Sequence, residues 1–359
     1  MDNFTQDFLL EIAGRFQLDQ APVSAVPHGA GHINRTYCVV TGSGRRYILQ
    51  KINNRIFPDV KGLMENITGV TGYLAQQESD PRRVLHVVPT LAGEDYLNPE
   101  EGSYWRVYDF VENALCLQLP ETDYDFYSSA LAFGRFQQQL KDYPAATLHE
   151  VIPNFHNTVD RYRQFKEILA KDPVGRAELC RDEIDFVLAH EEDGAYLVRQ
   201  LEAGILPLKV THNDTKLNNV MLDEVTKEPL CVIDLDTIMP GLPAYDFGDS
   251  IRFGASTALE DEEDLTKVNF DMDRFKAYTK GYLEACPDLT PEERDSLVWG
   301  AKIMTLECGT RFLADFIDGD HYFGVSKPNH NLLRARTQFK LVREMEKVWD
   351  EMFEVVRAN

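Results

Sequence analysis

No run of about eighteen apolar residues occurs anywhere in the 359-residue chain, which argues against a membrane-spanning helix. The opening stretch, MDNFTQDFLLEIAGRF, is acidic and amphipathic where a secretory leader is basic and then apolar, so a cytoplasmic protein without a signal peptide is expected. Positive charge is scarce. Lys and Arg number 37 against 59 Asp and Glu, a formal net charge of −22. Nucleic acids and anionic membranes are poor partners for such a surface, because both are bound through basic groups that displace counterions. No Cys-x-x-Cys pair is present. The six cysteines (Cys38, Cys116, Cys180, Cys231, Cys286 and Cys308) are scattered, mostly among apolar neighbours, which predicts buried reduced thiols rather than disulfides or zinc ligands. Internal repeats, low-complexity runs and Pro/Ser-rich linkers are also missing. What remains is an ordinary globular composition, 43% hydrophobic, long enough for two domains or lobes and expected to be a monomer.

Periodicity then divides the chain. Phe4, Phe8, Leu9, Ile12 and Phe16 share one helical face, so an amphipathic helix is predicted first. Residues 35–40 and 46–52 flank Thr41-Gly42-Ser43-Gly44 and predict a β-hairpin. Next comes a helix over residues 59–77, with Leu63, Ile67, Val70 and Leu74 on one face, and strands at 84–91 and 104–111 complete a small antiparallel sheet. From Tyr124 onward helical spacing dominates, and Phe339, Val342, Met345, Trp349 and Phe353 predict one long amphipathic helix at the end. The acidic run EDEED at 260–264 reads as a solvated helix start or loop.

The chemistry concentrates in residues 208–236, LKVTHNDTKLNNVMLDEVTKEPLCVIDLD. His212, Asn213 and Asp214 form a His-x-Asp turn, Asn219 follows Asp214 by five residues, and Asp234 closes an apolar run. Two short strands, 219–222 and 230–234, joined by a turn at 223–228, would carry Asn219 and Asp234 to the same end of a hairpin. Such a layout suits phosphoryl transfer: one carboxylate, Asp214, orients an acceptor hydroxyl and takes its proton, while Asn219 and Asp234 hold the Mg²⁺ that bridges nucleotide phosphates. A surface loop rich in Asn and Asp is the plainer alternative. His212 is expected to order the loop through hydrogen bonds, and Asp236 either supports the metal or belongs to a turn.

His212, Asp214, Asn219, Ile233 and Asp234 together match the brace of the aminoglycoside phosphotransferase and choline kinase superfamily, which the chain resembles. The likeness spans nearly the whole chain. Longer strings, GHINRTY at 31–37, RYILQ at 46–50, IDLDTIMPG, DFGDSIRFGAS and ECGTRFLAD, resemble the amino-sugar kinases within that superfamily. The resemblance implies an α+β, bilobal, protein-kinase-like fold: a nucleotide-binding N-lobe with a small antiparallel sheet over 1–112, and a larger helical C-lobe over 113–359. It implies ATP and Mg²⁺ as cofactors and an N-acetylhexosamine, phosphorylated at its anomeric hydroxyl, as substrate.

In that frame the loop at 27–34, with Gly31 and Asn34, is a candidate phosphate loop, although an ordinary entry into a strand reads the same way. The second strand should carry a cation for the phosphates, Lys51 or its neighbour Gln50 marking the position, with Glu65 on the following helix as its acidic partner. Glu112-Asn113-Ala114 would form the hinge between the lobes, with backbone groups near 110–113, Glu112 among them, serving the adenine edge. The Asp-Phe-Gly at Asp246 looks like a metal motif, but Asp234 already closes the strand after the catalytic loop, so Asp246 is expected to brace that loop. His32 and Arg311 are candidate sugar contacts; an ion pair to a C-lobe carboxylate is the other reading for Arg311. Asn213 replaces the Arg of the protein-kinase His-Arg-Asp, and no Ala-Pro-Glu segment follows, which favours a small-molecule acceptor. The competing readings are a kinase for an aminoglycoside, choline or homoserine, with the acidic run lining a cation site, and a non-catalytic nucleotide-binding pseudokinase.

Overall fold

Strand alternation gives the first hundred residues two apolar faces. In the computed structural model, which describes residues 4–29 and 33–359, β1 (Pro22–Pro27), β2 (Arg35–Thr41), β3 (Arg46–Ile52), β4 (Val87–Val88), β5 (Leu97–Glu100) and β6 (Ser103–Asp109) form a six-stranded antiparallel sheet. Its order is β1-β2-β3-β6-β4, with β5 also on β6. Tyr47, Leu49, Trp105 and Val107 point to one side, where α1 (Gln6–Ala13) covers them with Leu9 and Ile12. Ile48, Ile52 and Tyr108 point to the other, against Leu63, Ile67 and Val70 of α2 (Val60–Ala75). That second core continues into Val210, Leu235 and Ile238, so it also welds the sheet to the C-terminal half.

After β6 the chain crosses to a second sheet. β7 (Ala114–Leu115) pairs with β9 (Val220–Asp223), which pairs with β10 (Pro229–Val232), while β8 (Lys209–Thr211) pairs with β11 (Met239–Gly241). The rest is helical: α3 (Asp123–Gln139), α4 (Thr158–Lys171), α5 (Arg181–Ala189), α6 (Glu191–Gly194), α7 (Tyr196–Glu202), α8 (Pro243–Gly254), α9 (Met272–Ala285), α10 (Pro291–Asp318), α11 (His330–Lys347) and α12 (Trp349–Ala358). α10 runs through the middle, its N-terminal part (Leu297, Val298, Ala301) feeding a core with α8 and α9 and its C-terminal part (Leu306, Phe312, Phe316) a separate core with α4, α5 and α11. This is the protein-kinase-like α+β arrangement, an antiparallel-sheet N-terminal region and a helical C-terminal region.

Several expectations need correction. The strand foreseen over 84–91 is only Val87–Val88, because Pro89 cannot donate to the ladder. The long terminal helix breaks at Val348 (φ −117°, ψ 21°), which turns Trp349 edge-on to Trp299 with ring centroids 5.0 Å apart. All six cysteines are free, but Cys116 is exposed and Cys308 only half-buried. The acidic run is not simply solvated: Glu260 pairs with Arg252, and Asp261 with Lys327 and His330. No helix among the described residues is long and apolar enough to cross a membrane.

Candidate active site

The β9–β10 hairpin does the converging. Val220 pairs with Val232, and the Ile233 N–H donates to the Asn219 carbonyl at 2.9 Å, so Asn219 and Asp234 leave the hairpin side by side. Asp234 sits in the left-handed region (φ 59°, ψ 56°), which a short polar side chain tolerates. Solvent reaches it, yet the surrounding protein and the carboxylates of Asp236 and Asp214 push its pKa up to about 6.

Asp246, in the first turn of α8, accepts the N–H groups of His212 (2.8 Å) and Asn213 (2.7 Å), and its carbonyl accepts from Thr215 Oγ1. The tripeptide Asp is thus a brace for the loop, and its burial raises its pKa. Asn213 has φ 65°, a left-handed turn that Asn bears better than Arg, and its carboxamide donates to the carbonyls of Thr211 and Thr237. His212 Nε2 lies 2.8 Å from the Ile233 carbonyl and Nδ1 accepts the Asp214 N–H, the pattern of a neutral ring. Its edges meet Phe133 and Phe136. A histidine so engaged orders the loop.

Asp214 faces Lys216, whose Nζ is 2.6 Å from Oδ1, while Asn219 Nδ2 donates to Oδ2 at 3.2 Å and to the Asp214 carbonyl at 2.8 Å. Enclosure works against the Lys216 ammonium, but Asp214 and Asp249 outweigh it and raise its pKa. The signal for Lys216 was its place two residues after the Asp. Among the described residues no donor reaches Asn219 Oδ1, so a neutral carboxamide oxygen and the Asp234 carboxylate stand together. Hard oxygen donors of mixed charge suit Mg²⁺. The other candidate metal cluster among the described residues, His190, Asp193 and Glu346, is already bridged by Lys302 Nζ, 2.8 Å from both carboxylates.

From the opposite side the first sheet supplies different groups from those expected. Lys51 does not reach the cleft: alternation along β3 turns its Nζ over Phe4 (4.7 Å) and Trp105 (5.9 Å), on the α1 side. Gln50 faces the cleft instead, and its Oε1 accepts from Arg106 Nε at 3.0 Å. Arg106, which the sequence reading passed over, is 1% exposed and pairs with Asp236 at 2.5 Å. Glu65 is not the acidic partner of a strand cation. It is half-exposed and pairs with His149 and Lys61, leaving Met64 to meet Arg106. Asn34 Oδ1 accepts the Asn53 N–H (2.9 Å) and its Nδ2 donates to Asp236, so it ties its loop across the cleft. Gly31 and His32 lie outside the described residues.

The Glu112 side chain pairs with Arg46 on the surface. Among the described residues, the backbone groups of 110–112 make no hydrogen bond within the protein, as an adenine-facing edge requires. Arg311, half-buried, has no ion pair among the described residues; the rings of Phe155, Tyr322 and Phe323 surround it at 6.0, 5.7 and 5.4 Å. One turn before it, buried Glu307 holds His156 Nδ1 (3.2 Å), whose Nε2 is 3.4 Å from the Asn213 carbonyl. Burial raises the Glu307 pKa, but His156 and then Arg311 and Arg161 bring it below its usual value.

A family model described as APH, phosphotransferase enzyme family, matches residues 24–281. Among solved structures, a microcompartment-associated aminopropanol kinase is similar at TM-score 0.66 and 16% identity, covering 96% of this chain and 98% of that one. An amicoumacin kinase in complex with AMP-PNP, Ca²⁺ and Ami is similar at TM-score 0.60 and 15% identity, covering 94% and 93%. Choline kinase from Cryptosporidium parvum Iowa II is similar at TM-score 0.59 and 14% identity, covering 98% of each. At these identities the likeness is one of fold.

Proposed function

Because this chain belongs to the APH phosphotransferase enzyme family, we propose that it is an ATP- and Mg²⁺-dependent small-molecule kinase whose acceptor is the anomeric 1-hydroxyl of an N-acetylhexosamine, N-acetylglucosamine or N-acetylgalactosamine. The observation that carries the reading is the convergence of Asp214, Lys216, Asn219 and Asp234 at one end of the β9–β10 hairpin. Asp214 orients the acceptor hydroxyl and takes its proton as the oxygen attacks the γ-phosphorus and the bond to ADP breaks. Lys216 holds Asp214 in place and offers positive charge beside it. Asn219 and Asp234 would hold Mg²⁺, which supplies charge neutralisation at the phosphates when bound. The lobes meet between residues 112 and 113, with the free backbone of 110–112 set to read the adenine edge and the loop containing Gly31 and Asn34 set over the phosphates. Most of the catalytic gain in a loose phosphoryl transfer comes from positioning and preorganised charge, which a loop braced by Asp246 is built to provide.

Two features support a neutral sugar acceptor. The acidic run at 260–264 spends Glu260 and Asp261 on Arg252, Lys327 and His330 instead of lining a cation site. Arg311 sits among three aromatic rings, a setting that suits a sugar face and an amide carbonyl. His32 is the second proposed sugar contact. The alternative, a kinase for an amine-bearing alcohol, draws on the aminopropanol and choline kinases among the structural neighbours. The test is ATP-dependent phosphorylation of N-acetylglucosamine, N-acetylgalactosamine, glucose, choline, homoserine and kanamycin, with a reducing-end assay on each sugar product. Consumption of an N-acetylhexosamine with loss of its reducing end supports the reading; turnover only with amine-bearing acceptors replaces the substrate.

A further inference from the structure

The geometry points to Arg106, on β6, as the cation that receives the nucleotide phosphates, in place of a lysine on β3, with Asp236 as its partner within the protein. The inference rests on the kinase reading above. Register comes first. Gln50 of β3 is paired with Arg106 of β6, both on the cleft side of the sheet, while Lys51 is one residue out of phase and faces α1. A period of two admits no compromise: a side chain one position along a strand belongs to the other face.

The guanidinium is also incompletely used. Nε donates to Gln50, and Nη1 lies against Asp236 Oδ1 and Met64 Sδ, but Nη2 has no partner among the described residues. Asp236 Oδ1, though 2.5 Å from Nη1, is not aligned to accept a hydrogen bond from it, and Asp236 Oδ2 is taken by Asn34. A buried arginine with its Nη2 spare, and an Nη1 that a stronger acceptor can draw from Asp236, can present its fork to phosphate oxygens. Its position matches too. Asp236 is two residues beyond Asp234, so its contact with Arg106 brings the head group of a sheet residue against the segment that carries the proposed metal ligand. In this chain the carboxylate that steadies the phosphate cation comes from the catalytic segment, across the cleft, because α2 offers Met64 at that point and directs Glu65 outward.

A purely structural Arg106 would be a strut between the lobes, and a double-variant cycle separates the two roles. We would measure Mg·ADP affinity by calorimetry and thermal stability for the unaltered protein, R106M, R106M/D236N, R106K and K51M. R106M leaves a buried carboxylate unpaired and should lose both stability and ADP affinity, the latter by roughly ten- to hundredfold. R106M/D236N should regain most of the Tm but not the affinity, R106K should retain part of the affinity, and K51M should bind as the unaltered protein does. Recovery of ADP affinity in R106M/D236N makes Arg106 a strut and overturns the inference. So does a tenfold loss in K51M, a half-exposed position whose replacement does not threaten folding. If the unaltered protein binds no Mg·ADP, the kinase reading itself fails; if it binds and these variants misbehave, only the role of Arg106 does.

Discussion

Asp246 holds the catalytic loop from below through three hydrogen bonds, two from loop N–H groups and one from the Thr215 hydroxyl, whereas Arg106 and Asn34 reach the next segment from above through one carboxylate, that of Asp236. The lower attachment is a buried carboxylate holding loop backbone within one half of the molecule. The upper one joins side chains of two halves and includes a charge pair that a phosphate can enter. The difference separates what must be fixed before substrate arrives from what must be able to change partners when it does.

Breaking the chemistry while sparing both attachments should have the largest effect. Asp214→Asn removes the proton acceptor and should lower kcat about a thousandfold with Mg·ADP affinity nearly intact; near-normal turnover in a coupled ADP-release assay would remove Asp214 from its role. Asp246→Ala strikes the lower attachment. It leaves two buried N–H groups without an acceptor, so it should cost roughly 2–5 kcal/mol in urea unfolding as well as activity, whereas Asp214→Asn should leave stability nearly unchanged. Arg311→Ala should raise the sugar KM about tenfold and leave the ATP KM alone, since its surroundings are the aromatic rings of the C-terminal half.

The smallest effect is in pH dependence. The Asp234 carboxyl, raised to about 6 first by its protein surroundings and then by Asp236 and Asp214, holds a proton more tightly folded than unfolded. In the metal-free protein the stability contributed by this group is therefore lost as pH rises from the ordinary carboxylate range through about 6. A divalent cation competes with that proton, so Mg²⁺ affinity should fall as pH drops through about 6, and Asp234→Asn should flatten the dependence. Calorimetric Mg²⁺ titrations on either side of that pH check it.

These two regions were not equally legible in the sequence. Asp214, Asn219 and Asp234 lie within a short span, and the turn at 223–228 between two short apolar strands announces the hairpin that joins them; Asp246 could be judged from its position after that hairpin. Lys216 was visible beside Asp214 but needed the contact to give it meaning. Arg106 was not legible. Its significance depends on which face of β6 it occupies and on the pairing of residues 50 and 106, a long-range register that local spacing does not set. For the same reason Lys51, at the right sequence distance from the hairpin, turned to the wrong face, and Glu65 followed it. Val348 breaks a helix without Pro or Gly, because packing Trp349 on Trp299 outweighs uninterrupted helical spacing.

Trp105 gives the sheet an optical handle. It is fully buried beside Arg106 on β6, and the other two tryptophans, Trp299 and Trp349, lie together far along the chain on α10 and α12. With those two replaced by Phe, all indole emission would come from the strand that carries the cation facing the cleft. Fluorescence of that protein would report the arrival of a nucleotide from inside the sheet, without a dye and without altering any group in the site.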